Sequence, residues 1–394
     1  MNKKLSIITL CSLVLGILAG LFWPELCRTA EFWGTIYINL LKMLIFPVLF
    51  TSIVNVVSSG GKEASKTTGI SILIFAVMFL ASFALCSGIW SILKPGIGFA
   101  FEEIEWTNSI TTVSTPIFLT NLFPSNIVQS AANNNVFQIV LFAFLFGLAL
   151  KQTGRDTSFT KTLADASNKL VEYVMYLTPI GVFALISNAI VNFGSDIFYT
   201  AIKYIGSAFI GCVLVDIIVM FLPVVIIGKV SLKEYVKGIY KIWLVSVPTC
   251  SSVATLPTTM KVCQEDFHVS EKVTDIVVPL GCTIHMCGGA IAFSLLMYFN
   301  AQMYGASIDW KMYIMMIMSA LIINMGAPGL PGGGIVLGAT YMSMFNMPLS
   351  FIGFYAAIYK ALDMMYTSMN VTGDVTANII IGKLINENNK QLSV

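Results

Sequence analysis

Eight long apolar runs dominate this chain, near residues 5–23, 34–58, 68–93, 135–150, 170–193, 200–228, 271–300 and 350–382. A helix needs about 20 apolar residues to cross a bilayer, and these runs lie near or above that length. They read as transmembrane helices of an all-α polytopic membrane protein. The composition agrees, with 57% hydrophobic and 11% charged residues, where soluble chains carry about a quarter charged. A net charge of +2 spread over short loops gives no surface for nucleic acid. Eight dispersed cysteines without a CxxC pair indicate neither a disulfide framework nor a zinc site. No cofactor is expected. The apolar run after Met1 to Lys4 is long enough to span and lacks an Ala-x-Ala-like site, so it reads as the first helix rather than a signal peptide.

Eight crossings put both termini on one side, together with the lysines of residues 3–4, 62–66, 151–169, 229–241 and 383–390. The positive-inside rule makes that side cytoplasmic, and the cell's inner (plasma) membrane is the expected location. Residues 94–134, with Glu102, Glu103 and Glu105, then lie outside. Two further apolar segments preserve this assignment only if each turns back. Residues 242–262 are broken between Pro248 and Pro257, and residues 313–345 between Gly326 and Gly334. Irregular backbone at membrane depth survives where protein or a water-filled cavity satisfies it, so both read as re-entrant hairpins aimed at a site. Each is followed by a span interrupted in turn, at His285–Gly289 and at Asn370–Asp374. The two units enter from opposite sides, an inverted repeat of the kind that places a transporter's binding site. Simple kinks in packed helices are the plainer reading, and four interruptions in register argue against it. Asp363 and Asp374 sharpen the point, because an acid in apolar surroundings persists where it faces a partner, a cavity or an ion.

The segments Ser251–Met260, Pro279–Ile284, Gly329–Gly332 and Asn370–Asp374 read Ser-Ser-Val-Ala-Thr-Leu-Pro-Thr-Thr-Met, Pro-Leu-Gly-Cys-Thr-Ile, Gly-Leu-Pro-Gly and Asn-Val-Thr-Gly-Asp. In that order they resemble the glutamate transporter, or dicarboxylate/amino acid:cation symporter, family over nearly the whole chain. The resemblance implies a homotrimeric secondary active transporter of elevator type. Residues 1–67 and 95–199 would form its scaffold, residues 68–94 and 200–394 its transport domain, and the hairpins its gates. It also implies that Asp363 takes the substrate ammonium and that Thr367 and Asn370 hold the α-amino acid end. Backbone N–H groups near Ser252, Leu330 and Gly334 would bind the carboxylate, with Met286, Gly289 and Tyr366 beside the substrate. Asp363, Thr367 and Asn370 share one helix face at i, i+4 and i+7.

The departures from the family pattern carry the specificity. Tyr366 stands where acidic-substrate members have an arginine, and Tyr359 where they have the aspartate that braces it. A buried side-chain carboxylate without a bidentate cation loses its main stabilisation, so a neutral amino acid is expected rather than an acidic one. Gly289 in place of threonine and Cys250 in place of arginine point to a less polar, roomier pocket. The family's sodium motif Asn-Met-Asp-Gly-Thr reads His285-Met-Cys-Gly-Gly289 here, and Val77, Leu80 and Ala81 fall where the third span should supply hydroxyls. Sodium needs several oxygen ligands, so one site is expected to be lost. Asn370 and Asp374 with the carbonyls of Gly281 and His285 could form another. Carbonyls near Thr283, Asn324, Met325 and Ala327 could form a third.

His285 reads either as a proton carrier or as a neutral imidazole that hydrogen-bonds where asparagine did. Asp216, alone in the sixth span, has a proton-carrying and a structural reading, and Lys360 is placed to pair with Asp363. Alternatives stand beside this reading, one within the transporters and two of other classes, a channel and an enzyme. An ion channel also uses re-entrant loops, and a sodium-coupled symporter of acidic amino acids or dicarboxylates fits the same fold. A serine hydrolase built on Ser251 or Ser252 with His285 lacks an orienting group.

Overall fold

The computed structural model describes residues 3–59, 65–98, 123–132, 136–154, 158–193, 196–325, 332–348 and 350–391. These fold into helices and turns, with no strand among the described residues. In chain order they are α1 (Lys3–Phe22), α2 (Pro24–Ser59), α3 (Ser65–Leu93), α4 (Ile127–Ala132), α5 (Val136–Thr153), α6 (Ser158–Tyr176), α7 (Thr178–Phe193) and α8 (Asp196–Val215). Helix α8 continues in π-helical form through Asp216–Phe221 and Val224–Gly228. Then come α9 (Leu232–Thr249), α10 (Ser252–Glu265), α11 (Glu271–Ile284), α12 (Cys287–Met303), α13 (Trp310–Met325), α14 (Gly333–Met344) and α15 (Ser350–Gln391).

Among the described residues, Thr67–Leu93, Tyr199–Gly228 and Glu271–Met303 are long and apolar enough to cross a membrane. The pair Ser158–Val174 and Thr178–Asn188, bent by 50°, makes a fourth if counted as one span. The expected span 170–193 therefore straddles two helices rather than forming one.

Packing sorts the helices into two groups. Helices α1, α2, α5, α6 and α7 pack on one another, α3 packs on α8, α11, α12, α13 and α15 within a second group formed by α3 and α8 to α15, and contacts such as α7 against α15 and α2 against α14 join the groups. Within the first group small residues let backbones approach: a Cβ on Gly20 would meet Ile190 of α7 at 2.6 Å. Such close packing substitutes for the hydrophobic drive that lipid removes. An aromatic cluster centres the second group, with Tyr204 of α8 edge-on to Phe299 of α12 at 4.9 Å between ring centres. Outer faces carry exposed Leu15, Phe22, Leu73, Ile202 and Trp310, as expected of helices solvated by lipid.

The expected break of the last span at Asn370–Asp374 is absent, because α15 runs unbroken from Ser350 to Gln391. Gly373 serves contact rather than unwinding: a Cβ there would meet the His285 ring at 2.7 Å. The break at His285 is real, with φ/ψ of −109°/101° at His285 and −129°/78° at Met286 between α11 and α12.

Candidate functional site

The first hairpin reverses over two residues. Pro248 lies in the last turn of α9, and Cys250 closes the helix in the left-handed region at φ 50°, its N–H donating to Ser246 O at 2.8 Å. Ser251 then caps α10, its hydroxyl accepting from Ala254 N at 3.2 Å. Hydrogen bonds of Trp243 Nε1 to Thr372 Oγ1 (2.9 Å) and between the Ser246 and Ser368 hydroxyls (3.1 Å) hold this hairpin on α15. From the other side the N-terminal turn of α12 presses on α15, Gly288 N donating to Asn370 Oδ1 at 2.8 Å. A Cβ on Gly288 would overlap the Tyr366 backbone, so only glycine permits that approach.

Between these elements lies a cavity with about 60 Å³ open to the centres of water-sized molecules. One water needs roughly 10–15 Å³ by that measure, so several polar atoms fit. Its wall brings together Ser252, Met286, Gly289, Gly334, Asp363, Tyr366, Thr367 and Asn370, eight of the nine substrate residues expected from the sequence. Leu330, the ninth, lies outside the described residues. Cys250, Asn324, Phe293, Leu337, Tyr355 and Tyr359 complete most of the lining. Asp363, 6% exposed, accepts from Gly332 N of the second hairpin at 3.0 Å and lies 3.4 Å from both the Tyr359 and Thr367 hydroxyls. Gly332 reaches this position at φ 81°, which glycine adopts without strain. The Tyr366 hydroxyl is buried and has no hydrogen-bond partner among the described residues.

The pocket is not widened at Gly289 as the sequence suggests. The Asn324 carboxamide fills the space, since a Cβ on Gly289 would overlap Asn324 Oδ1. Lys360 does not form the expected ion pair with Asp363; its ammonium lies 3.0 Å from Cys250 Sγ at the hairpin tip.

Asp374 occupies a sealed second centre on the same helix. His285 Nδ1 sits 3.0 Å from Asp374 Oδ1, Cys287 Sγ sits 3.0 Å from His285 Nε2, and Phe75 of α3 stacks on the imidazole at 4.5 Å and 11°. The ion residues expected here are already engaged. Gly281 O accepts from His285 N at 2.8 Å, Asn370 Oδ1 takes Gly288 N, and Asp374 Oδ1 takes His285. Thr283 is exposed, its hydroxyl donating to Leu280 O at 2.8 Å, and Asn324 Nδ2 donates to Met286 O at 2.9 Å. Met325 ends α13, and Ala327 lies outside the described residues. Val77 and Ala81 are exposed and Leu80 half-buried, so α3 offers this centre an aromatic ring. The stacking of Phe75 and the reach of Lys360 to Cys250 escaped the sequence reading, because both depend on packing between distant segments.

Residues 5–384 match the sodium:dicarboxylate symporter family. The chain is 27% identical to a C4-dicarboxylate transport protein of Bacillus subtilis, covering 100% of this chain and 96% of that one. It is 26% identical to a proton/glutamate-aspartate symporter of the same organism, with 97% and 95% covered. A neutral amino acid transporter B(0) of Oryctolagus cuniculus is 27% identical, with 94% and 78% covered.

Proposed function

The chain belongs to the sodium:dicarboxylate symporter family and is a secondary transporter rather than an enzyme, and on that premise we propose that it carries a neutral α-amino acid with reduced dependence on sodium. One observation carries this reading. Among the fifteen described residues that line the cavity, Asp363 is the sole charged group, and Tyr359 and Tyr366 stand where a side-chain carboxylate would need a cation. Asp363 suits an ammonium, while a second substrate carboxylate would meet phenols. The N-terminal turn of α12, through Met286 and Gly289, adds a positive helix end for the α-carboxylate. The Tyr366 hydroxyl, without a partner among the described residues, offers a polar handle to a neutral side chain.

The internal engagement of Asp374, Asn370 and Gly281 O supports the weaker sodium dependence, because a hard cation needs several free oxygens. A proton gradient is the replacement driving force to test. We extend the proposal to a homotrimer moving by an elevator mechanism in the plasma membrane, with cytoplasmic termini. The two packing groups support a scaffold of residues 1–67 and 95–199 and a transport domain of residues 68–94 and 200–394, and the lysine distribution supports the orientation.

A second reading, an acidic amino acid or dicarboxylate as cargo, is favoured by the Lys360 ammonium beside Cys250 and by the names of two relatives. A thermal-shift screen of the purified protein against the standard amino acids, cystine and C4-dicarboxylates, in sodium, potassium or choline, separates the two. Stabilisation by neutral amino acids in choline as well as sodium is the expected result. Preference for aspartate with a steep sodium dependence would replace the proposal with the second reading.

A further inference from the structure

Behind the substrate cavity lies a second one of about 410 Å³, bounded by Phe209, Asp216 and Ile217 of α8, Trp243 of α9, and Met364 and Met365 of α15. Two turns of α15 form the wall between them. Residues 363, 366, 367 and 370 line the first cavity and residues 364, 365, 368 and 369 the second. Apart from Asp216 and Ser368 the lining is apolar, aromatic or sulfur-bearing.

Asp216 is the anomaly. It opens the π-helical turn Asp216–Phe221, and such turns insert a residue into a helix and gather at functional sites. Tyr235 donates to its Oδ1 at 2.9 Å. No ion pair among the described residues includes it, and no cationic side chain lines its cavity. One neutral donor leaves most of a carboxylate's demand unmet in surroundings this apolar. The rest of the cavity matches the other half of a ligand. Methionines adapt to irregular chains, and Trp243 can take a cation on its ring face.

We propose that this cavity binds a monocationic amphiphile, an alkylammonium whose head pairs with Asp216 and whose tail lies along Phe209, Met364 and Met365. The site is separate from the substrate cavity, so the proposal stands whichever cargo the transporter carries. A plain apolar crevice with a protonated, merely structural Asp216 is the alternative.

The test is the thermal stability of the purified protein in a nonionic detergent, titrated with hexylammonium, hexanol or hexanoate. Hexylammonium should stabilise at a concentration about tenfold below that of hexanol, the difference one good charged contact makes. Hexanoate should do nothing. Asp216→Asn should bring hexylammonium to the level of hexanol. Met365→Trp, which fills the cavity and leaves the acid in place, should abolish both responses. Equal midpoints for hexylammonium and hexanol in the unmodified protein would overturn the proposal without recourse to any variant. So would an ammonium preference that persists in Asp216→Asn, or a response that survives Met365→Trp.

Discussion

Asp363 and Asp374 stand eleven residues apart on α15 (374 − 363 = 11), about three turns, so they share a helix face. Both are buried, at 6% and 1% exposure. Their partners differ in kind. Asp363 lines a cavity and is held by the backbone N–H of Gly332 and by two hydroxyls at 3.4 Å, all neutral. Asp374 is closed in by a histidine at 3.0 Å, itself locked between Cys287 and Phe75. A carboxylate with weak neutral partners can exchange them for a ligand's cation, whereas one whose partner comes from the chain's own core has little left to offer. The contrast fits the proposal that one helix keeps a substrate site at Asp363 and gives up an ion site at Asp374.

The largest expected effect breaks the first half of the comparison. Asp363→Asn should reduce amino-acid affinity by two orders of magnitude or more, because a substrate ammonium left unpaired in a desolvated site loses about 3 kcal/mol or more. Its melting temperature should move little, since the asparagine oxygen still accepts from Gly332 N. Calorimetric titration beside a melting curve checks both, and retained affinity would remove the assignment. His285→Ala should do the opposite. Removing one partner of this buried hydrogen bond leaves Asp374 unsatisfied at a cost of about 1–3 kcal/mol, so the melting temperature should fall. Added sodium should then restore part of the loss, because the freed carboxylate gains a use for a cation. A His285→Ala protein as stable as the parent would show that the Asp374 centre holds nothing together.

The Asp363 half of this contrast is legible in the sequence as a helix face, for a local reason, while the sealing of Asp374 by the His285 ring is not. Asp363, Thr367 and Asn370 recur at helical spacing, so one face follows from period alone, and the cavity lining contains all three. The break at His285 follows from glycines and an imidazole where an apolar helix should continue. Gly373 misled for the same reason, since glycine in a sequence marks either an unwound turn or a close approach. Only the nearness of the His285 ring decides for approach. The filling of the Gly289 space by Asn324 and the turning of Lys360 toward Cys250 are contacts between segments 35 (324 − 289) and 110 (360 − 250) residues apart, beyond what any periodicity encodes.

A smaller effect sharpens the comparison at the substrate end. Tyr366→Arg combined with Tyr359→Asp should move preference toward aspartate by about tenfold, since a paired guanidinium gives a side-chain carboxylate the bidentate partner it lacks. The changes belong together because an unbraced arginine beside a buried wall costs stability, and adjacent sites are not additive. Competition between labelled serine and aspartate in proteoliposomes reads the ratio. No change would mean that Lys360 already serves the acidic substrate.

The smallest effect sets a baseline, with a third carboxylate whose partners also come from the chain but which stands in water. Glu234 receives the N–H of Ser231 at 3.0 Å and its hydroxyl at 2.8 Å, while Glu234 N donates back to the Ser231 oxygen at 3.3 Å, a reciprocal cap on α9. The backbone bond first and the hydroxyl second hold the Glu234 carboxyl below the usual glutamate range. A group whose pKa is lowered by folding stabilises the fold above its unfolded-state pKa, and that contribution disappears as pH falls through the folded value. Ser231→Ala removes the cap hydroxyl and should lower stability slightly at neutral pH. The gap between variant and parent should narrow on acidification below about pH 4.3, where an ordinary glutamate protonates. It should narrow with salt as well, which an exposed charge contact obeys and the sealed Asp374 pair should not. Melting curves across pH and ionic strength test the point, and a gap that widens toward acid would reverse the sign of the Glu234 contribution.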